Sequence, residues 1–233
     1  MHIGLIGGIG PAATVAYYQR PVDLFGRAGV PLRLTIQHAD IEVLTQNASR
    51  LDIDAQTEVF QAHIRSLKAA GCDVAGITAL TGHFCMPRLQ TVSQLPILSM
   101  TTEIEAYCAA NGIARLGVLG SPPVMSTHMF GLLHKVETIV PGEDRDVVGE
   151  TYMTIARKGA CTADEANLLI SAGAAMVRKQ KADAILLAGT DLGLAFNGRD
   201  PSYPVIDALA LHVDAFLATA RGRHTSHAKE FWI

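Results

Sequence analysis

Long hydrophobic runs are missing from this chain. No apolar stretch approaches the roughly 18 residues needed to cross a bilayer, so no membrane-spanning helix and no membrane partner are expected. The opening MHIGLIGGIGP lacks a basic segment followed by an apolar stretch and a cleavage site. It reads as a strand entering a turn rather than as a signal peptide. An excess of one charge is also missing. Nineteen Lys and Arg face 22 Asp and Glu, for a net charge of −3 and a pI near 6.3, which leaves no basic field to hold nucleic acid. Cysteine is scarce: Cys72, Cys85, Cys108 and Cys161 are widely spaced, with no CxxC pair. That spacing argues against a metal site and a disulfide framework, and it fits a reducing, cytoplasmic setting. With 49% hydrophobic and 18% charged residues, the chain is neither disordered, collagen-like nor a coiled coil.

What is present is alternation. Short apolar runs at 3–7, 32–37, 74–78, 96–100, 115–120, 137–141 and 182–188 have the length of strands covered on both faces. Helical patterns lie between them, at 12–25, 53–70, 84–91, 102–111, 124–134, 147–157, 162–180 and 205–221. Pro11 suits a first helical position, where its missing N–H has no partner to lose. Thr162 with Glu165 three residues on forms a capping box, and Asn111-Gly112 reads as a helix stop. The 233 residues suffice for one large domain or two of about 100 residues each, and the alternation predicts an α/β chain with parallel sheets.

The sequence also echoes itself. Ile3-Gly4-Leu5-Ile6-Gly7-Gly8 returns as Leu116-Gly117-Val118-Leu119-Gly120-Ser121, 113 positions later. Ile77-Thr78-Ala79-Leu80-Thr81 returns as Leu187-Ala188-Gly189-Thr190-Asp191, 110 positions later. Two unrelated landmarks keep nearly the same separation. They predict two similar parallel-sheet α/β domains related by a pseudo-two-fold axis, although Gly after an apolar strand is common in any α/β protein. Ligands of open parallel sheets bind beyond the carboxyl ends of the strands, and all four landmarks fall there. Gly7–Pro11 and Thr78–His83 would line one wall of an inter-domain cleft, and Gly120–Pro123 with Gly189–Asp191 the other. Helix N-termini after Gly10 and after Ser121 suit a carboxylate or phosphate. Taken singly, each landmark is equally an ordinary strand-to-helix turn. Gly8-x-Gly10-x-x-Ala13 also fits a dinucleotide fingerprint, with Asp40 placed to meet a ribose. An NAD-binding oxidoreductase is therefore a competing reading, though its second half should not echo the first.

At this point the residues carry a resemblance. Ile3-Gly4-Leu5-Ile6-Gly7-Gly8-Ile9-Gly10-Pro11-Ala12-Ala13-Thr14, with Tyr17-Tyr18 after it, resembles the opening of the amino-acid racemase branch of the aspartate/glutamate racemase superfamily. Ala39-Asp40-Ile41-Glu42, Gly117-Val118-Leu119-Gly120-Ser121, Tyr203-Pro204-Val205-Ile206-Asp207 and Leu211-His212-Val213-Asp214 are similar to further parts of that family. The resemblance implies residues 1–98 plus 206–233 as a first domain and 99–205 as a second. It implies a cofactor-free isomerase, often dimeric, acting on a small amino acid or dicarboxylic acid in the cleft. One thiolate removes the α-proton, and a thiol on the opposite face returns one.

The chain departs from that pattern at the chemistry. Where the family has roughly Cys-Asn-Thr-Ala-His, this chain has Ala79-Leu80-Thr81-Gly82-His83. Where the family has Gly-Cys-Thr-Glu-Leu, it has Ala188-Gly189-Thr190-Asp191-Leu192. Both thiol positions, Ala79 and Gly189, are non-nucleophilic. His83 and Asp191 are the remaining acid/base candidates, or else supporting groups. Gly8, Ile9, Gly10, Leu80, Thr81, Gly120, Ser121 and Thr190 form the expected binding set.

Several other residues carry two readings each. Cys85 is either a substitute thiol or, more simply, a buried structural one. Cys161 precedes a helix N-terminus, which can lower a thiol pKa. The position matching the family's lysine is Ala156, with Arg157 and Lys158 beside it as substitutes or as a solvated helix end. Gln46 and Arg50 are weaker candidates for the cleft. Trp232 is a packing residue, and 221–229 reads as a loose tail. The expectation is a divergent isomerase or lyase for a small carboxylate. The alternative is a carboxylate-binding homologue without catalysis.

Overall fold

A computed structural model describes residues 1–8 and 10–222. Ile9, Trp232 and most of the polar tail lie outside the described residues. The described residues divide into two compact units, 1–100 with 212–222 and 101–211.

In the first unit β1 (His2–Gly7) leads into α1 (Pro11–Arg27), β2 (Arg33–His38), α2 (Ile41–Arg50), α3 (Ile53–Ala69) and β3 (Val74–Ile77). A 3-10 turn (Leu80–Cys85) and α4 (Met86–Val92) follow. The sheet is parallel in the order β2-β1-β3, with Ile3 opposite both Leu34 and Val74. Strand β1 is buried along its whole length, as its unbroken apolar run requires. Gly4 in its middle admits Leu67 and Cys72, whose atoms would stand 2.9 and 3.1 Å from an added Cβ. The predicted strand at 96–100 shrinks to one parallel bridge, Ala75 with Ile97.

The second unit starts in α5 (Met100–Asn111). It continues through β4 (Arg115–Gly120), α6 (Pro122–Ser126), β5 (Glu137–Ile139), α7 (Arg145–Lys158), α8 (Ala163–Gln180) and β6 (Ala184–Ala188). A 3-10 turn (Thr190–Leu192), α9 (Gly193–Phe196), β7 (Val205–Asp207) and α10 (Ala208–Ala220) close the order. Its sheet is parallel, β5-β4-β6-β7. The capping box forms as expected: Glu165 N–H donates to Thr162 Oγ1 at 3.2 Å, and Thr162 N–H to Glu165 Oε2 at 2.7 Å.

The two sheets repeat one plan. β1 and β4 are flanked alike, and the Ala75–Ile97 bridge sits where β7 sits in the other unit. Gly7 and Gly120 are the last residues of β1 and β4. Ala79 (φ −127°, ψ 128°) and Gly189 (φ −150°, ψ 125°) each enter a 3-10 turn from extended backbone.

Three expectations need correction. The helix read from 205 to 221 begins at 208, because Val205–Asp207 are buried as a fourth strand on β6. The helix read from 124 to 134 is only α6, since His128, Met129 and Phe130 all take positive φ and break it. Helix α2 was not foreseen. Asp40 caps it, accepting from the N–H groups of Glu42 and Val43 at 2.8 and 3.2 Å. Among the described residues no helix is long and apolar enough to cross a membrane.

Two glycines make opposite predictions. Gly8 has φ +143°, and an added Cβ would meet the Ala39 carbonyl oxygen at 2.3 Å. Gly8→Ala should cost about 2–4 kcal/mol of stability in urea unfolding. Gly26 ends α1 with nothing within 4 Å of an added Cβ, so Gly26→Ala should be neutral or stabilise by up to about 1 kcal/mol.

Candidate active site

Each unit carries one set of candidate residues at the carboxyl end of its sheet. In the first unit β1 ends on Gly7, whose missing side chain makes room for Thr14; an added Cβ would lie 2.3 Å from Thr14 Oγ1. Gly8 and Gly10 both take positive φ, and Gly10 precedes the 17-residue α1 without a side-chain cap. Thr78 follows β3, its N–H donating to the Ile6 carbonyl at 3.1 Å. The hydroxyls of Thr14 and Thr78 are buried without hydrogen-bond partners among the described residues. Such groups call for a ligand or water.

Beyond Thr78 the half-buried Ala79 offers only a methyl group. Its carbonyl accepts from Gly82 N–H at 3.1 Å and from His83 Nδ1 at 3.0 Å. A carbonyl only accepts, so Nδ1 carries the proton and Nε2 keeps a lone pair. That Nε2 is buried with no partner among the described residues, and burial lowers the His83 pKa to about 4, partly offset by the bond to Ala79. His212 of α10 lies in the same unit. Its Nε2–H donates to the Leu98 carbonyl at 2.9 Å, and its Nδ1 accepts from the Tyr17 hydroxyl at 2.7 Å. Burial, with a smaller effect of His83, lowers its pKa to about 3. Both rings are neutral at ordinary pH. His83 is fully buried and braces the backbone at 79, and Leu80 is 5% exposed. Thr81 is half-buried.

In the second unit β4 ends on Gly120, where an added Cβ would stand 3.1 Å from the Ala188 carbonyl. Ser121 is buried and makes no side-chain cap to α6. The five residues of α6 make a short dipole, so the second helix N-terminus offers far less to an anion than the sequence implied. Past β6, the Gly189 carbonyl accepts from Leu192 N–H at 3.0 Å, and Thr190 is half-buried. Asp191 is 3% exposed, and neither carboxylate oxygen has a hydrogen-bond partner among the described residues. Desolvation raises its pKa to about 6, slightly offset by its own amide. Tyr152 of α7 occupies the space beside Gly189. Its Cε2, Cζ and Oη would lie 2.3, 2.5 and 2.7 Å from an added Cβ. Burial and the Asp191 charge hold the phenol well above its usual pKa.

A family model for Asp/Glu/Hydantoin racemases matches residues 6–216. The chain belongs to that family. Solved structures with its fold include a protein described as a candidate Asp/Glu racemase from Yersinia pestis. It is 24% identical, covers 95% of this chain and 100% of its own, and has a TM-score of 0.81. An aspartate racemase homologue from Pyrococcus horikoshii OT3 is 19% identical over 94% of this chain and 99% of its own, at 0.80. Arylmalonate decarboxylase is 15% identical over 94% and 92%, at 0.58. At these identities the likeness is one of fold. No curated protein matches the chain.

Family membership puts attention on the thiols, and none of the four is a ready base. Burial pushes Cys85 and Cys108 up to about 12, with Glu105 adding to the effect on Cys108. Cys85 is fully buried, its thiol donating to the Gly82 carbonyl at 3.6 Å. Cys72 and Cys161 are also raised, chiefly by burial. For Cys161 the neighbouring Glu165 adds to this, which reverses the lowering expected from the helix N-terminus. Lys158 pairs with Glu165 at 3.7 Å, and Arg157, Gln46 and Arg50 are exposed. Asp40, which the dinucleotide reading placed at a ribose, caps α2 through Oδ1. Among the described residues no cluster of His, Cys, Asp and Glu has the makings of a metal site.

Sequence reasoning placed Thr78 at the start of the Thr78–His83 wall but did not single out Thr14 or Tyr152 as site groups. Tyr152 had no local signal, because only the packing of α7 brings it to Gly189.

Two expectations test this geometry. Gly189→Ala should cost about 1–3 kcal/mol, and much of that loss should vanish in a Tyr152→Ala background. A double-mutant cycle in urea should show coupling of at least about 1 kcal/mol. Asp191 sets a pH dependence. The folded chain holds its proton up to about pH 6, while an unfolded carboxyl releases it near 3.8, so its contribution to stability falls as pH rises through that window. His83 and His212 work the other way, since the unfolded chain protonates them below 6.5 and the folded chain only near 4 and 3. Asp191→Asn should match the parent near pH 4 and exceed it by about 2–3 kcal/mol at pH 7.

Proposed function

We propose that this chain is a cofactor-free enzyme acting on the carbon beside a carboxylate of a small dicarboxylic acid, with proton transfer on one side only. The observation that carries this reading is the difference between the candidate groups of the two units. One offers the methyl of Ala79 and a neutral, buried His83. The other offers Asp191, an unpartnered carboxyl group that titrates near neutral pH.

Racemisation of an amino acid needs a base on one face of a weakly acidic C–H and an acid on the other. Ala79 and Gly189 supply neither, and the four thiols are held protonated. Decarboxylation of a substituted malonate makes a smaller demand. The C–C bond breaks without a base, its electron pair passes into the remaining carboxylate, and one proton is delivered to the α-carbon. The fold likeness to arylmalonate decarboxylase supports this class of reaction. In this reading Gly8, Gly10, Thr81, Thr190 and the hydroxyls of Thr14 and Thr78 hold carboxylate oxygens, and Asp191 manages the proton. Ile9, Gly120 and Ser121 complete the binding set carried over from the family.

The replacement of both thiols also favours a second reading, a protein that binds a small carboxylate without turning it over. One experiment separates the two. With L-Asp or L-Glu in deuterated water, the α-proton signal should persist for hours, and its rapid loss would overturn the one-sided reading. With phenylmalonate, CO2 should be released well above the uncatalysed rate. Saturable binding of phenylmalonate without CO2 favours the binding protein.

A further inference from the structure

Tyr152 and Gly189 share one space. The phenol end of Tyr152 lies 2.3–2.7 Å from where a Cβ at 189 would be, so a side chain at 189 and this tyrosine exclude each other. The ring comes from α7, is half-buried, and brings a hydroxyl to the position that Gly189 leaves empty. Two residues further on, the buried Asp191 carboxyl has both oxygens without a hydrogen-bond partner among the described residues. Its charge acts on the phenol. A ring that only filled a void would need no hydroxyl there, and a carboxyl with only a structural role would be bonded.

We propose that the Tyr152 phenol is the proton-transfer group of the second half-site, standing where a side chain at 189 would stand, and that Asp191 restores its proton. This rests on the decarboxylase reading and makes the substrate class a monosubstituted malonate. The step balances. The C–C bond to one carboxylate breaks and CO2 leaves. The electron pair moves onto the α-carbon and its remaining carboxylate as an enediolate. The Tyr152 O–H bond breaks, and its proton forms the new C–H bond. The resulting phenolate takes a proton from a bridging water, that water takes the proton of the Asp191 carboxylic acid, and Asp191 takes one from solvent. The net change is one CO2 released and one solvent proton gained at carbon. The transfers to carbon and to the phenolate run downhill, and Asp191 is reprotonated by solvent at a pH near its own pKa of about 6. An enediolate carbon is a far stronger base than a phenolate, and a phenolate is a far stronger base than a carboxylate. The raised pKa of Tyr152 keeps it protonated at rest.

The test uses the full chain and Tyr152→Phe, which keeps the ring and removes only the hydroxyl. With phenylmalonate, kcat for CO2 release should fall at least about 100-fold, the usual scale of a lost general acid. KM should stay within about threefold and the melting temperature should hold. An unaltered kcat in Tyr152→Phe overturns the role of Tyr152 and leaves the decarboxylase reading standing. No CO2 from the parent protein overturns both. A second measurement on the parent needs no variant to fold. Titration with malonate should perturb the absorbance of the neutral tyrosine between about 275 and 290 nm, and the same titration of Tyr152→Phe should lose that change. A parent spectrum indifferent to saturating malonate also overturns the assignment.

Discussion

Burial without compensation is the constraint on which the site depends. A charge taken out of water needs a partner, and a group without one shifts toward its neutral form. Here that single cause acts on several groups at once. It keeps His83 and His212 neutral, holds Cys85 and Cys108 as thiols, and raises Asp191 and Tyr152. The result is a set of groups that are mostly inert as ions. Asp191 is the exception, because its raised pKa falls near the pH at which a carboxyl group can both hold and yield a proton.

The two units use one backbone plan for different ends. Both deliver a residue from extended backbone into a 3-10 turn, at Ala79 and at Gly189. In the first unit the carbonyl of that residue is clamped by His83, and His212 with Tyr17 completes a neutral buried network behind it. In the second unit the space around 189 is taken by the Tyr152 ring. The two units thus carry unlike groups at corresponding places. The first has the Thr14 and Thr78 hydroxyls, without partners among the described residues, and the second has a carboxyl group and a phenol.

Much of the fold was legible because parallel strands covered on both faces leave unbroken apolar runs, and β1, β4 and β6 are such runs. The capping box of α8 and the Gly112 stop were legible because they are local chemistry. Strand β7 was missed because Val205–Asp207 flows directly into the apolar face of α10, and nothing in the local pattern marks the change. Helix α6 was overread because positive φ at His128, Met129 and Phe130 has no residue signature. Of the site, the loss of both thiols was visible by comparing motifs, whereas the burial of His83 and the role of Asp40 as a cap were not.

The sequence by itself determined the alternating α/β plan, the repeated strand-end landmarks at Gly7 and Gly120 and at Ala79 and Gly189, and the absence of thiols at the last two. These depend on residue type and on spacing along the chain. Only the tertiary structure decided which polar groups go without partners and which side chain fills the space at Gly189. Desolvation and steric exclusion are set by neighbours remote in sequence, and α7 reaches β6 only after the second unit has folded.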